Sequence, residues 1–164
     1  YHVIGLTPEA RSLEEALQGD RPKDKVKVTA REIKETYENT STVSGGKVDI
    51  VAFGCPHCTI EEIRQIASLV EGKKINNKTS FWVCTSRWNK ILARRMGLVE
   101  TIEKAGGRVV ADLCPMGPIA NLKFKLLATN SGKTAYYTPW HCGTDVLFRN
   151  TTDCVNAAIQ GEWR

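Results

Sequence analysis

A three-layer α/β domain built around a mostly parallel sheet is the fold that this sequence of 164 residues predicts, on three observations. Val48–Phe53 is an apolar run with one polar residue near its start, as in a strand buried on both faces. Thr59-Ile-Glu-Glu62 is a capping box, after which Ile60, Ile63, Ile66, Ala67 and Val70 recur at helical spacing as far as Gly72. Strand patterns then alternate with helix patterns to the end, which calls for crossover connections and parallel pairing. The length is enough to bury a proper core, and 41% hydrophobic with 25% charged residues excludes a disordered or fibrous chain.

Taken in order, the elements begin with Thr7–Ala10 and a short helix after Ser12-Leu-Glu-Glu15, where Ser12 and Glu15 form a capping box and Gly19 ends the turn. Tyr1–Ile4 reads like the interior of a strand, and Lys25-Val-Lys-Val28 alternates like an edge strand. Thr29-Ala-Arg-Glu32 opens a helix to about Asn39, and Ser41–Lys47 is a Gly/Ser/Thr linker. Residues 1–47 are thus expected to form a helical and edge-strand segment packed on an α/β domain of residues 48–164. In that domain the second strand is Ser80–Cys84, followed by helices at Ser86–Met96 and Val99–Ala105 that Gly106-Gly107 stops. Arg108–Leu113, Phe124–Thr129 and Asp145–Phe148 are the remaining strands, and Thr151 and Thr152 cap a last helix to about Gly161.

No apolar run approaches the roughly 18 residues of a membrane span, and no basic-then-apolar leader is present, so a cytoplasmic protein with reduced thiols is expected. The strand-like beginning without an initiating Met reads as a piece of something larger. Of the net charge of +5, none arises in residues 1–47, which hold eight residues of each sign. The surplus therefore lies in residues 48–164, where it suits an anionic small molecule. Its basic residues are scattered rather than striped among aromatics, which argues against nucleic acid. Sequons occur at Asn39, Asn77 and Asn150; without a secretory route they read as chance.

The six cysteines carry the chemistry. In open α/β sheets ligands bind beyond the carboxyl ends of the strands. Those ends carry Gly54-Cys-Pro-His-Cys58, Cys84-Thr-Ser86, Asp112-Leu-Cys-Pro115 and Thr129-Asn-Ser-Gly-Lys133, with Cys154 in the first turn of the last helix, where a thiolate is favoured. Any one of these thiols could be an ordinary core residue; five on one rim point to a metal or a redox role. Three readings stand beside one another. Cys55-Pro56-His57-Cys58 resembles the active-site motif of the thioredoxin-like disulfide oxidoreductases, over four residues. Cys55, Cys58, His141 and Cys142 have the ligand types of a zinc site. Three thiolates could instead hold iron with one corner open. Cys58, Cys84 and Cys142 have no assigned role. Arg94-Arg95 and Lys73-Lys74 read as solvated helix ends.

A longer resemblance favours iron. His2-Val-Ile-Gly-Leu-Thr-Pro-Glu-Ala10, Val48-Asp-Ile-Val-Ala-Phe-Gly-Cys-Pro-His57, Asp112-Leu-Cys114, Thr129-Asn-Ser-Gly-Lys133 with Ala135-Tyr136, and Cys154-Val-Asn-Ala-Ala158 occur in that order. Together they resemble the C-terminal half of the large subunit of the aconitase X family, over nearly the whole chain. The resemblance implies an aconitase-like fold and a hydro-lyase that dehydrates mevalonate 5-phosphate, in an archaeal isoprenoid route, or cis-3-hydroxy-L-proline. It implies Cys55, Cys114 and Cys154 as ligands of an iron–sulfur cluster, [4Fe-4S] or smaller, or of a mononuclear iron. Asn130, Ser131 and Lys133 suit gripping an anionic substrate, with Tyr136 closing the pocket, a reading the resemblance at this motif favours, and His57, at a strand end, is expected to orient a ligand or a substrate carboxylate. The base would lie on a small swivelling subunit, a partner together with the rest of the large subunit, so this piece alone is expected to be inactive. The Gly-Cys-Pro-His form and the surplus positive charge lean towards the phosphorylated substrate.

Overall fold

The apolar run at Val48 becomes the middle of a five-stranded parallel sheet in the computed structural model, which describes residues 1–164. The strands are β1 (Gly46–Lys47), β2 (Ile50–Cys58), β3 (Ser80–Thr85), β4 (Arg108–Ala111), β5 (Leu126–Thr129), β6 (Asp145–Phe148) and β7 (Glu162–Trp163). The helices are α1 (Leu13–Leu17), α2 (Ala30–Thr40), α3 (Ile60–Val70), α4 (Arg87–Arg95), α5 (Leu98–Ala105), α6 (Met116–Leu122), α7 (Gly132–Cys142) and α8 (Thr151–Gln160). The sheet order is β4-β3-β2-β5-β6 with every pair parallel, so all five carboxyl ends share one rim. A separate two-stranded antiparallel ribbon pairs Gly46 with Trp163 and Lys47 with Glu162.

Strand alternation divides the core into two layers. Val51 and Phe53 of β2, with Ala128 of β5 and Leu147 of β6, pack with Ile63 and Ile66 of α3, Ile102 of α5 and Val155 of α8. Ile50, Ala52, Leu127 and Val146 point to the opposite face, where Ile119 of α6 and Ala135 of α7 cover them. That is the expected three-layer arrangement.

The chain divides into two compact units, Tyr1–Ile33 and Lys34–Arg164. In the first, Tyr1–Ile4 is not a strand: Leu6 and Thr7 donate to the Val3 carbonyl at 3.0 and 2.9 Å, closing a turn. Lys25–Val28 is not a strand either. Its alternation would fit a half-buried edge, but this unit contains no sheet to receive it, and Val26 and Val28 stand 84% and 68% exposed. Ser12 accepts from the Glu15 N–H at 3.2 Å, while the Glu15 carboxylate takes Arg11 N–H instead of closing the box on Ser12.

In the second unit, the Thr59/Glu62 box forms in both directions, at 2.8 and 3.2 Å. The Ser41–Lys47 linker is more ordered than its composition suggests: Ser41 Oγ accepts from Phe148 N–H at 3.0 Å and Thr42 N–H donates to the Val146 carbonyl at 2.9 Å. The last helix is capped by Asn150, whose Oδ1 accepts from Asp153 N–H at 2.9 Å, rather than by Thr151 or Thr152. Helices α6 and α7 have no forerunner in the sequence pattern, and Cys142 lies in the last turn of α7.

Candidate active site at the carboxyl rim of the sheet

Gly54 sets the geometry of the rim. Its φ of +101° is a left-handed conformation suited to glycine, and a Cβ there would stand 2.0 Å from the Cys84 carbonyl oxygen. The close approach of β2 to β3 shifts their register between Phe53 and Cys58. Within the shifted stretch the chain carries Cys55, half-buried, then Pro56 and His57, exposed, before Cys58 turns back inside. The Cys55–Pro56 peptide is cis. The Cys58 carbonyl is held by Thr85 Oγ1 at 2.6 Å and Asn89 Nδ2 at 3.2 Å, fixing the exit into α3.

The segment Asn130–Lys133 braces this corner. Ser131 caps α7 by accepting from Thr134 N–H at 3.1 Å, and its hydroxyl also donates to the Cys55 carbonyl. Asn130 Nδ2 donates to Thr151 Oγ1 at 3.1 Å, tying the same loop to the first turn of α8. Lys133 and Tyr136 are exposed on α7. Of the expected substrate-binding residues, Ser131 is therefore joined directly to Cys55, Asn130 is used within the loop, and Lys133 and His57 present free surface.

Cys114 is exposed in the loop after β4. It belongs to the same corner as Cys55, because both thiols bear on the buried Cys84 between them. Burial first, then the neighbouring Cys114 and Cys55, push the Cys84 thiol up to about 12. Cys142, raised chiefly by burial and next by Cys114, donates to the Met116 carbonyl at 3.5 Å. Cys58 is pushed up to about 12 by burial, with Glu62 and Cys84 adding to it. Cys154 differs: it is 0% exposed in the apolar layer with α3 and α5, and its thiol donates to the Arg149 carbonyl at 3.6 Å. Burial raises its pKa strongly, Asp153 adding to the rise. Burial thus outweighs any help from the start of α8.

Arg87 is a rim residue that the sequence pattern does not single out, and its partner Asp112 appears there only as the start of the Asp112-Leu-Cys114 motif, without a role. Asp112 Oδ1 accepts from Arg87 N–H at 2.9 Å and Oδ2 from Arg87 Nε at 2.6 Å. The guanidinium holds the Asp112 carboxyl below its ordinary value, with a weaker contribution from His57. A partnership across 25 residues leaves no mark in periodicity or spacing.

The family description "Aconitase X third domain" matches residues 48–160, more than half of the sequence. The chain belongs to the aconitase X family. It is 44% identical over 149 residues to the phosphomevalonate dehydratase large subunit of Methanocaldococcus jannaschii, covering 90% of this chain and 36% of the relative. It is 31% identical over 164 residues to the cis-3-hydroxy-L-proline dehydratase of Pseudomonas aeruginosa, covering 98% of this chain and 28% of the relative. The crystal structure of Thermococcus kodakaraensis aconitase X in its holo-form matches with a TM-score of 0.69 and 28% identity, over 86% of this chain and 38% of that one. The chain therefore spans about a third of the length of the relatives it matches. No helix is long and apolar enough to cross a membrane.

Set against an aconitase X cluster, the donor set fits in part. Thiolates suit iron–sulfur chemistry, and Cys55 and Cys114 offer accessible sulfurs at one corner. Cys154, turned into the core, does not join them as it stands, and no three Cys, His, Asp or Glu side chains converge as a ligand group. The zinc reading meets the same finding, because Cys55, Cys58, His141 and Cys142 are not gathered. The thioredoxin-like reading meets another: Cys58 ends β2, and the helix begins only after Thr59, so the motif does not sit on a helix N-terminus.

Proposed function

We propose that this chain is part of the large subunit of an iron–sulfur hydro-lyase that dehydrates mevalonate 5-phosphate to an anhydromevalonate phosphate, working with a small partner subunit. The observation that carries the reading is the 44% identity to a phosphomevalonate dehydratase large subunit, against 31% to a cis-3-hydroxy-L-proline dehydratase. Near-complete coverage of this chain by the latter keeps the proline substrate as a second reading.

In this proposal Cys55, Cys114 and Cys154 hold the cluster. When bound, the cluster supplies a Lewis acid for the leaving hydroxyl. To serve as a ligand Cys154 would give up its thiol proton, against the burial that raises its pKa, and would turn away from the Arg149 carbonyl. Ser131 positions the Cys55 backbone through their hydrogen bond. Lys133 attracts the anionic end of the substrate, and His57 stands beside the same mouth. The proton-abstracting base lies outside this chain.

The test is the complete enzyme, both subunits together, purified anaerobically, with iron, sulfide and zinc quantified and both substrates assayed. Iron with a higher kcat/KM for mevalonate 5-phosphate is the expected result; zinc without iron would sink the cluster assignment. Serine at Cys55, Cys114 or Cys154 should abolish cluster retention, whereas Cys58→Ser should not. Loss of iron in Cys58→Ser with retention in Cys154→Ser would replace the assignment by a local Cys-x-x-Cys site.

A further inference from the structure

We propose that Arg87, set in place by Asp112, is an oxyanion-recognising residue at the cysteine rim, taking a phosphate or carboxylate group on its two Nη groups. The inference rests on the reading that the rim is the substrate site, and it adds a residue that neither motif nor resemblance assigns. Arg87 is the first residue of α4, directly beyond β3, and Asp112 follows the adjacent strand β4, two residues before Cys114. Both Asp112 oxygens are engaged on Arg87, one on its backbone N–H and one on Nε. The Nη groups have no protein partner, and the Arg87 side chain is 70% exposed.

The arrangement around Asp112 is over-determined for a surface ion pair. Asp112 has a φ of +56°, a left-handed conformation that non-glycine residues adopt sparingly. Its own N–H donates to the Thr85 carbonyl at 2.8 Å, which locks the turn against β3. Exposed ion pairs contribute little to stability, and Asp tolerates this backbone conformation better than most residues, so the fold does not depend on the pairing. What it does achieve is to fix the plane of a guanidinium. The Nε edge is spent on Asp112, and the opposite edge keeps the fork geometry that meets two oxygens of a phosphate or carboxylate. His57 lies near Asp112, so an imidazole, a half-free guanidinium and two accessible thiols share one corner.

Two measurements decide it. Inorganic phosphate and, separately, acetate are titrated into the wild-type and variant chains while the backbone N–H signals of residue 87, its α4 neighbours and Asp112 are followed by NMR. Substrate kinetics are then measured on the complete enzyme. Arg87→Gln should weaken phosphate or acetate binding about tenfold or more, with Arg87→Lys between it and the wild type; whichever anion responds identifies the group recognised. In the complete enzyme Arg87→Gln should raise KM by a similar factor at unchanged iron content, a split that mere loosening of α4 would not give. Equal affinity of wild type and Arg87→Gln for both anions, or an unmoved KM, overturns the proposal. If the complete wild-type enzyme dehydrates neither substrate, the functional reading fails, and the anion titration still judges Arg87 on its own.

Discussion

Lys133 shows how a residue can be visible in sequence while its role rests on neighbours. It stands in the first turn of α7, exposed, two residues after the serine that caps the helix and holds Cys55. A solvated lysine at a helix start needs no function, and the cap geometry is what that ordinary reading requires. What sets it apart is that it follows, two residues on, the Ser131 that is hydrogen-bonded to the Cys55 carbonyl. In the complete enzyme, Lys133→Ala should therefore weaken substrate binding or turnover by roughly 2–3 kcal/mol, as for a lost charge-assisted hydrogen bond, with iron content unchanged. Unaltered kcat and KM would return Lys133 to the surface. The cysteines divide in a similar way. The rim positions of Cys55 and Cys114 were legible because strand ends are legible. The inward turn of Cys154 was not, because a residue four positions past the Asn150 cap can face rim or core, and only packing against α3 and α5 decides.

Among the elements, the Gly54 crossing of β2 and β3 is the least replaceable. Gly54→Ala combines a left-handed φ with a Cβ 2.0 Å from a backbone oxygen that cannot swing away. A loss of about 3 kcal/mol or more is expected in urea denaturation, with Cys55 displaced. Gly117, inside α6 with nothing within 4 Å of a built Cβ, is the control; its replacement by Ala should be neutral or stabilising by up to about 1 kcal/mol. Wild-type stability in Gly54→Ala would mean that the two strands do not approach so closely. The sequence revealed elements where side chains write the local rule, as at the Thr59/Glu62 box and the continuous apolar run of β2. It misled where the rule needs a distant partner. Lys25–Val28 has strand periodicity and no sheet to join, the β1–β7 ribbon pairs Gly46 with a residue near the chain's other end, and α6 is disguised by Gly117 and Pro118.

At the scale of the whole molecule, the rim is one corner of a site whose base and remaining walls are proposed to come from other domains, so the chain's own physics is best tested without catalysis. Three thiols, Cys58, Cys84 and Cys154, are buried deeply enough to stay protonated far above a free cysteine. Cys58 and Cys84 move from an ordinary 9.0 to about 12, with burial the leading cause. Below about pH 9 these thiols are neutral in both folded and unfolded chains and contribute no pH dependence. Between about 9 and 12 the unfolded chain releases protons that the folded chain keeps, so stability falls as pH rises, by up to about 1.4 kcal/mol per pH unit for each thiol. Lysines and tyrosines titrate in the same window, which is why the comparison must be with a variant. Cys84→Ala leaves a small cavity and should be less stable than the wild type by about 1 kcal/mol near pH 8. Because the variant has no thiol to ionise at that position, the gap should close and then reverse as urea midpoints of the reduced, metal-free chain are followed to about pH 10.5. A gap that stays constant over that range would mean that water reaches the Cys84 sulfur in the folded chain.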